Sequence, residues 1–390
     1  MGLMSEYISR KLSAADLEAE LLKLISEYNR LRQSFAAVYV AAIGKPIPDI
    51  GLSQDDYYLI HDLLKDTTSR KIDLYLETPG GSGEAAEEIV RCLRNRFDQV
   101  SFVVSGEAKS AGTIMVLSGD EILMTETGSL GPIDAQVRIG RSIISAYDYL
   151  EWTNQKREEA QKIGKLNPFD ATLVAQISPG ELSGVFHALK YAEDLVTDWL
   201  AKYKFKTWTM TETRRLPVTN DMKTRRAQEI AAELTNHAKW RTHGRSIKAT
   251  DLNDIGLKVT RVESDPKLSD IVYRIQTVCR LLFSSTNTYK IFATEKEKVF
   301  KSATPVSTVP KIPVQAADVV EFEARCLKCG KVHKLYAKFK DDPKIDADFK
   351  KKGNIAFPKD NKLKCECGFE MDLGGIRNEI ETKVGKKLII

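Results

Sequence analysis

Ile72-Asp-Leu-Tyr-Leu-Glu-Thr-Pro-Gly-Gly81 is an apolar run that stops in a double-glycine turn, and Ala108-Lys-Ser-Ala-Gly-Thr113 repeats the plan about thirty residues later. Each follows a strand-like segment, residues 72–76 and 100–104, and each opens a helical pattern, residues 84–93 and 113–117. Glycines at 80 and 81 let backbone N–H groups approach a ligand closely. Ser110 falls at a helix N-terminus, where developing negative charge is stabilised. Taken singly, Gly-Gly is an ordinary turn and Ser an ordinary helix cap. Together, two successive strand–turn–helix units bring a hydroxyl and backbone donors to one sheet edge, where open α/β sheets bind ligands. This pairing predicts a nucleophile at Ser110 beside an oxyanion hole.

Outward from these turns the pattern alternates: strand 34–42, helix 54–65, strand 72–76, helix 84–94, strand 100–104, helix 110–118, strand 121–124. Such alternation implies right-handed crossovers and a largely parallel sheet. Upstream, Leu17, Leu21, Leu24, Tyr28 and Leu31 mark an amphipathic N-terminal helix. Beyond residue 134 the chain turns helical. Ser178-Pro-Gly-Glu181 is a capping box opening a helix that runs to about 203. Leu182, Val185, Phe186, Leu189, Ala192, Val196 and Leu200 share its apolar face, with Lys190 at the border. The expected domains are an N-terminal helix (1–33), an α/β domain (34–262), a helical connector and Pro/Ser/Thr-rich linker (263–317), and a small tail domain (318–390).

The composition, 42% hydrophobic and 29% charged, is that of a soluble globular protein and excludes disordered and fibrous classes. The longest apolar stretch, residues 35–43, is too short to span a bilayer, and no secretory signal precedes it, so a cytoplasmic location is expected. Of six cysteines, Cys92 and Cys279 stand alone and four bunch in the tail, which is not a disulfide framework. Cys326-Leu-Lys-Cys329-Gly and Cys365-Glu-Cys367-Gly form two knuckles whose four thiolates match a structural Zn2+ site, with His333 as an alternative ligand. The tail also holds the basic surplus, 19 Lys+Arg against 13 Asp+Glu over residues 301–390, but its lysines are interleaved with aspartates. Protein docking or oligomer support is therefore favoured over nucleic-acid readout.

The runs quoted above, with Gly119-Asp-Glu-Ile122 and Gly128-Ser-Leu-Gly-Pro-Ile-Asp134, resemble the Clp-fold serine proteinases, in the branch called serine dehydrogenase proteinase and related to signal peptide peptidase A. The resemblance covers roughly residues 35–262 and leaves out the connector and tail. It implies a Clp/crotonase-type ββα spiral, a homo-oligomer enclosing the sites, polypeptide substrates, Ser110 as nucleophile, and the N–H groups of Gly81 and Ala111 as the oxyanion hole. Clp subunits carry a histidine some twenty-five residues after the nucleophile, yet here no histidine occurs between His61 and His187. Two kinds of base stay open. Signal peptide peptidases use lysine, and Lys190, Lys165 and Lys162 are available; a lysine base must be buried to lose its proton from a pKa of about 10.4. His243, oriented by Asp134, needs no large shift. The alternatives to a serine peptidase are a crotonase-type acyl-CoA enzyme and a catalytically silent scaffold that recruits a partner through the zinc ribbon.

Overall fold

The apolar run at 35–43 becomes a strand covered on both faces, as continuous apolar strands of parallel sheets usually are. In the computed structural model, which describes residues 2–133, 135–139, 142–242, 244–303, 318–384 and 386–389, this is β1 (Phe35–Ala41). It joins β2 (Lys71–Glu77), β3 (Gln99–Val104), β4 (Glu121–Met124), β5 (Thr260–Arg261), β6 (Thr288–Ala293) and β7 (Lys298–Ser302) in one sheet of order β7-β6-β1-β2-β3-β4-β5. Strands β1 to β5 run parallel. Only β6 and β7 are antiparallel additions.

The helices include α1 (Ala14–Arg32), α2 (Gln54–Leu63), α3 (Gly83–Arg96), α4 (Ala111–Leu117), α5 (Ala146–Ile163), α6 (Pro179–Trp199), α7 (Asn220–Thr235) and α8 (Pro266–Ser285). Alternate residues of the strands feed two cores. Ala37, Tyr39, Leu74 and Phe102 pack with α2, α3, α4, α6 and α7. Ala36, Val38, Tyr75 and Val103 pack with α1 and α8 on the other face. In α1, Ser13 and Asp16 form a capping box, and Leu17, Leu21, Leu24 and Tyr28 are buried as their spacing predicts. In α6 the predicted Ser178 cap is present, Val185, Ala192 and Val196 are buried, but Phe186 is exposed.

The chain divides into two compact units, residues 1–303 and 304–390. The expected connector is therefore not one. Its apolar stripe, Ile275, Val278 and Leu282, lies in the core shared with α1, and the strand after it lies beside β1. That strand escaped the sequence pattern because Lys290 interrupts it, a lysine fully buried through an ion pair with Asp56. The second unit pairs β8 (Val319–Arg325) with β9 (Val332–Lys338), antiparallel, over a small core of Val320, Phe322, Leu335, Phe357, Leu363, Met371 and Ile380. Two helices, Pro343–Lys351 and Gly374–Val384, and the short strands Ile355–Ala356, Lys362–Lys364 and Glu370–Asp372 complete it.

Candidate active site and metal centre

Beyond the carboxyl ends of β2 and β3 the backbone forms a ladder of short pairings. Leu52 bridges Gly81, Thr78 bridges Ala108, residues 107–108 pair with 129–130, and Leu130 bridges Ile247. The Leu52 N–H donates to the Gly80 carbonyl (2.6 Å) and the Ser82 N–H donates to the Leu52 carbonyl (2.9 Å). In a parallel bridge of this kind the N–H of the paired residue points away from its partner strand. The Gly81 N–H thus faces away from Leu52, and it donates to no partner among the described residues.

Both glycines are required. Gly80 has φ +101° and Gly81 φ +143°, conformations that other residues avoid. A Cβ on Gly80 would lie 2.6 Å from the Ser110 Cβ, and one on Gly81 would lie 2.4 Å from both the Leu52 nitrogen and oxygen. The two motifs read in the sequence are therefore in direct contact. Gly112 seats α4 equally closely, its Cβ position falling 2.5 Å from the Thr78 methyl.

Ser110 precedes α4, but it is not a helix cap. Its side chain makes no capping bond, and its backbone is at φ 49°, ψ −117°, far from the extended conformation of N-caps. Strain of this order persists only where the surroundings over-determine it. Here the residue before it is pinned: the Lys109 Nζ donates to the Leu130 carbonyl (3.1 Å), the Arg245 carbonyl (3.1 Å) and the Ser246 hydroxyl (2.9 Å). The Gly112 N–H donates to the Lys109 carbonyl (2.8 Å), closing the turn around Ser110. The Ala111 N–H, first in α4, is left without a partner among the described residues.

Lys109 was not among the lysines the sequence singled out. Burial pushes its ammonium below the usual lysine range, with Glu107 opposing the shift and Lys248 adding to it. Three acceptors for three protons mark it as an anchor rather than a base. Its signal in the sequence was only its place inside the serine motif.

The expected lysine bases fare differently. Lys190 is exposed, pairs with Asp194 (2.9 Å) and Glu193 (3.6 Å), and is shifted upward by them, the reverse of the burial a neutral lysine needs. It sits at the border of the apolar face, as its spacing suggested, but on the solvent side. Lys162 and Lys165 are exposed as well. His243 and Asp134 lie outside the described residues. The segment following His243 does reach the site, through the Arg245 and Ser246 contacts to Lys109 and the Ile247 bridge.

Residues 40–164 match the family described as ClpP-like SDH-type serine proteinases. That segment is similar to this family. Two uncharacterized proteins of Methanocaldococcus jannaschii are similar to the chain. One is 28% identical over 127 residues, 31% of this chain and 44% of the relative, and the other is 26% identical over 220 residues, 56% and 61%. The chain spans about half the length of these relatives. Two structures of a membrane-bound stomatin-specific protease, one holding a substrate peptide, cover 56% and 57% of this chain and 74% and 79% of theirs, at 15% and 14% identity and a TM-score of 0.34. Among the described residues no helix is long and apolar enough to cross a membrane.

In the second unit, the sulfurs of Cys326, Cys329, Cys365 and Cys367 lie within 4.8 Å of one another, with Cys326 to Cys367 and Cys329 to Cys365 both at 3.6 Å. A tetrahedral ion with metal–sulfur bonds of about 2.3 Å separates its ligands by ~3.8 Å, so the four thiols fit a metal ion. Left-handed glycines close both knuckles: Gly330 (φ +75°) donates to the Cys326 carbonyl and Gly368 (φ +84°) to the Cys365 carbonyl, both at 2.9 Å. The shorter second knuckle, with one residue between its cysteines, is closed by a correspondingly tighter turn. His333 is buried and stands outside the cluster.

Proposed function

We propose that the first unit is a serine peptidase that cleaves polypeptides through an acyl-enzyme on Ser110. The observation that carries this reading is the contact between a serine held at positive φ and a Gly-Gly turn whose N–H is unpaired. Ser110 Oγ attacks the scissile carbonyl carbon, and the Gly81 and Ala111 N–H groups receive the oxyanion. Each such donor is worth about 3–4 kcal/mol in the transition state. His243 takes the serine proton and returns it to the leaving amine, then activates the water that releases the acyl group. In favour of His243 over Lys190 stand the anchoring of residues 245–247 beside Ser110 and the exposed, ion-paired state of Lys190.

The four cysteines hold a structural zinc ion, which stabilises the second unit and takes no part in the reaction. Subunits assemble into a homo-oligomer, which sedimentation measures directly. The functional test is labelling by a fluorophosphonate with turnover of fluorogenic peptides. The reading expects labelling at Ser110, its loss in Ser110→Ala, and loss of turnover with retained assembly in His243→Ala. Turnover of CoA thioesters that survives Ser110→Ala would instead assign a crotonase-type activity and overturn the proposal.

A further inference from the structure

We infer that Lys290, on β6, is a positioning residue for the oxyanion turn, acting through the carbonyl of Gly51. The inference rests on the peptidase reading of that turn and concerns a part of the chain outside the matched family segment. Lys290 is completely buried, and its Nζ donates to the Gly51 carbonyl and to Asp56 Oδ2, both at 2.6 Å. Asp56 is itself buried at the start of α2. Its Oδ2 also accepts from the Ser53 N–H (3.0 Å) and the Tyr39 hydroxyl (3.2 Å), while its Oδ1 accepts from Lys301 Nζ (3.0 Å). Three strands, β1, β6 and β7, thus converge on Asp56 of α2, and Lys290 and Asp56 in turn hold Gly51 and Ser53.

Between Gly51 and Ser53, Leu52 packs in the core and also touches the site. Leu52 holds the turn by both of its backbone groups, through the Gly80 carbonyl and the Ser82 N–H. A Cβ placed on Gly51 would lie 3.2 Å from the Gly80 carbonyl. The Gly80 carbonyl and the Gly81 N–H belong to one planar peptide, so the Leu52 N–H bond to that carbonyl fixes the direction of the Gly81 N–H. The orientation of the Gly81 N–H is therefore set from residue 290, across the sheet, by a buried ion pair. Buried pairs of this kind are weak sources of stability and are better attested as devices that fix one arrangement.

The test uses the full chain and a fluorogenic peptide. Lys290→Met removes the Gly51 contact while leaving Asp56 paired to Lys301 and Tyr39. It is expected to lower kcat about ten- to hundredfold with KM within about threefold, and to weaken a peptide boronate, a transition-state mimic, by the same factor. Gly51→Ala presses on the Gly80 carbonyl with every buried charge in place; it gives the same pattern and carries the test should Lys290→Met fail to fold. Lys301→Met, which loses only the far side of Asp56, lowers the melting temperature without the matched loss of kcat and boronate affinity. Unchanged kcat in folded Lys290→Met or Gly51→Ala, with wild type labelled at Ser110, overturns this inference alone. A wild type that fluorophosphonate does not label removes the peptidase reading and this one with it.

Discussion

Ser110 holds a backbone conformation that costs a side-chain-bearing residue about 1–3 kcal/mol. Ser110→Gly removes that cost against roughly 0.5–1 kcal/mol lost to glycine's greater unfolded-state entropy, so it is expected to stabilise the first unit by about 1 kcal/mol while abolishing fluorophosphonate labelling. Urea unfolding beside the labelling assay measures both. At Gly80 the balance reverses. A methyl group there meets the Ser110 Cβ at 2.6 Å and the residue has φ +101°, so Gly80→Ala is expected to reduce kcat by about a hundredfold or more and to destabilise the unit by ~1–3 kcal/mol. These opposite stability effects, one residue on each side of the same contact, are read by paired melts.

Between β2 and α8 a half-buried pair links the buried Glu77, at the end of the strand, to the partly exposed Arg280 at 2.5 Å, with the Tyr75 hydroxyl donating to the same carboxylate at 2.9 Å. Burial raises the Glu77 carboxyl above its ordinary 4.5, with Arg280 opposing the shift. A raised carboxyl takes up its proton more readily in the folded state. Its contribution is therefore complete below pH 4.5 and is lost as pH rises through the folded value. The stability difference between wild type and Glu77→Gln is expected to shrink as pH rises from 4.5, which urea melts across pH 4–7 follow. At this same scale the limits of sequence reading are visible. Strands β1 to β4 and helices α1, α3, α4 and α6 were legible because their apolar residues repeat at the period of the element and their ends carry glycine or cap residues. β6 was not, because Lys290 breaks the apolar run and its partner Asp56 is over two hundred residues away. The serine and glycine halves of the site were legible as motifs, whereas Lys109 was hidden: nothing in a single sequence tells a pinned lysine from a solvated one.

For the molecule as a whole, the four-cysteine cluster lies in a unit with its own core, apart from Ser110 in the chain's division. Stripping the metal is expected to unfold residues 318–390, since structural zinc contributes about 10–16 kcal/mol in small thiolate domains, while Ser110 labelling stays within about twofold of the untreated protein. Limited proteolysis with and without a chelator, followed by fluorophosphonate labelling, gives both answers. The buried lysines also impose an order on the folding of the first unit during synthesis. During synthesis Ser110 leaves the ribosome long before Arg245 and Ser246, which fasten its loop, and before Lys290, which completes the edge of β1. Domains fold as units once their distant partners are present, and long-range closures come last. On the proposed peptidase reading, the nascent chain therefore carries Ser110 in an unfinished site for about 180 further residues, until translation has passed β6.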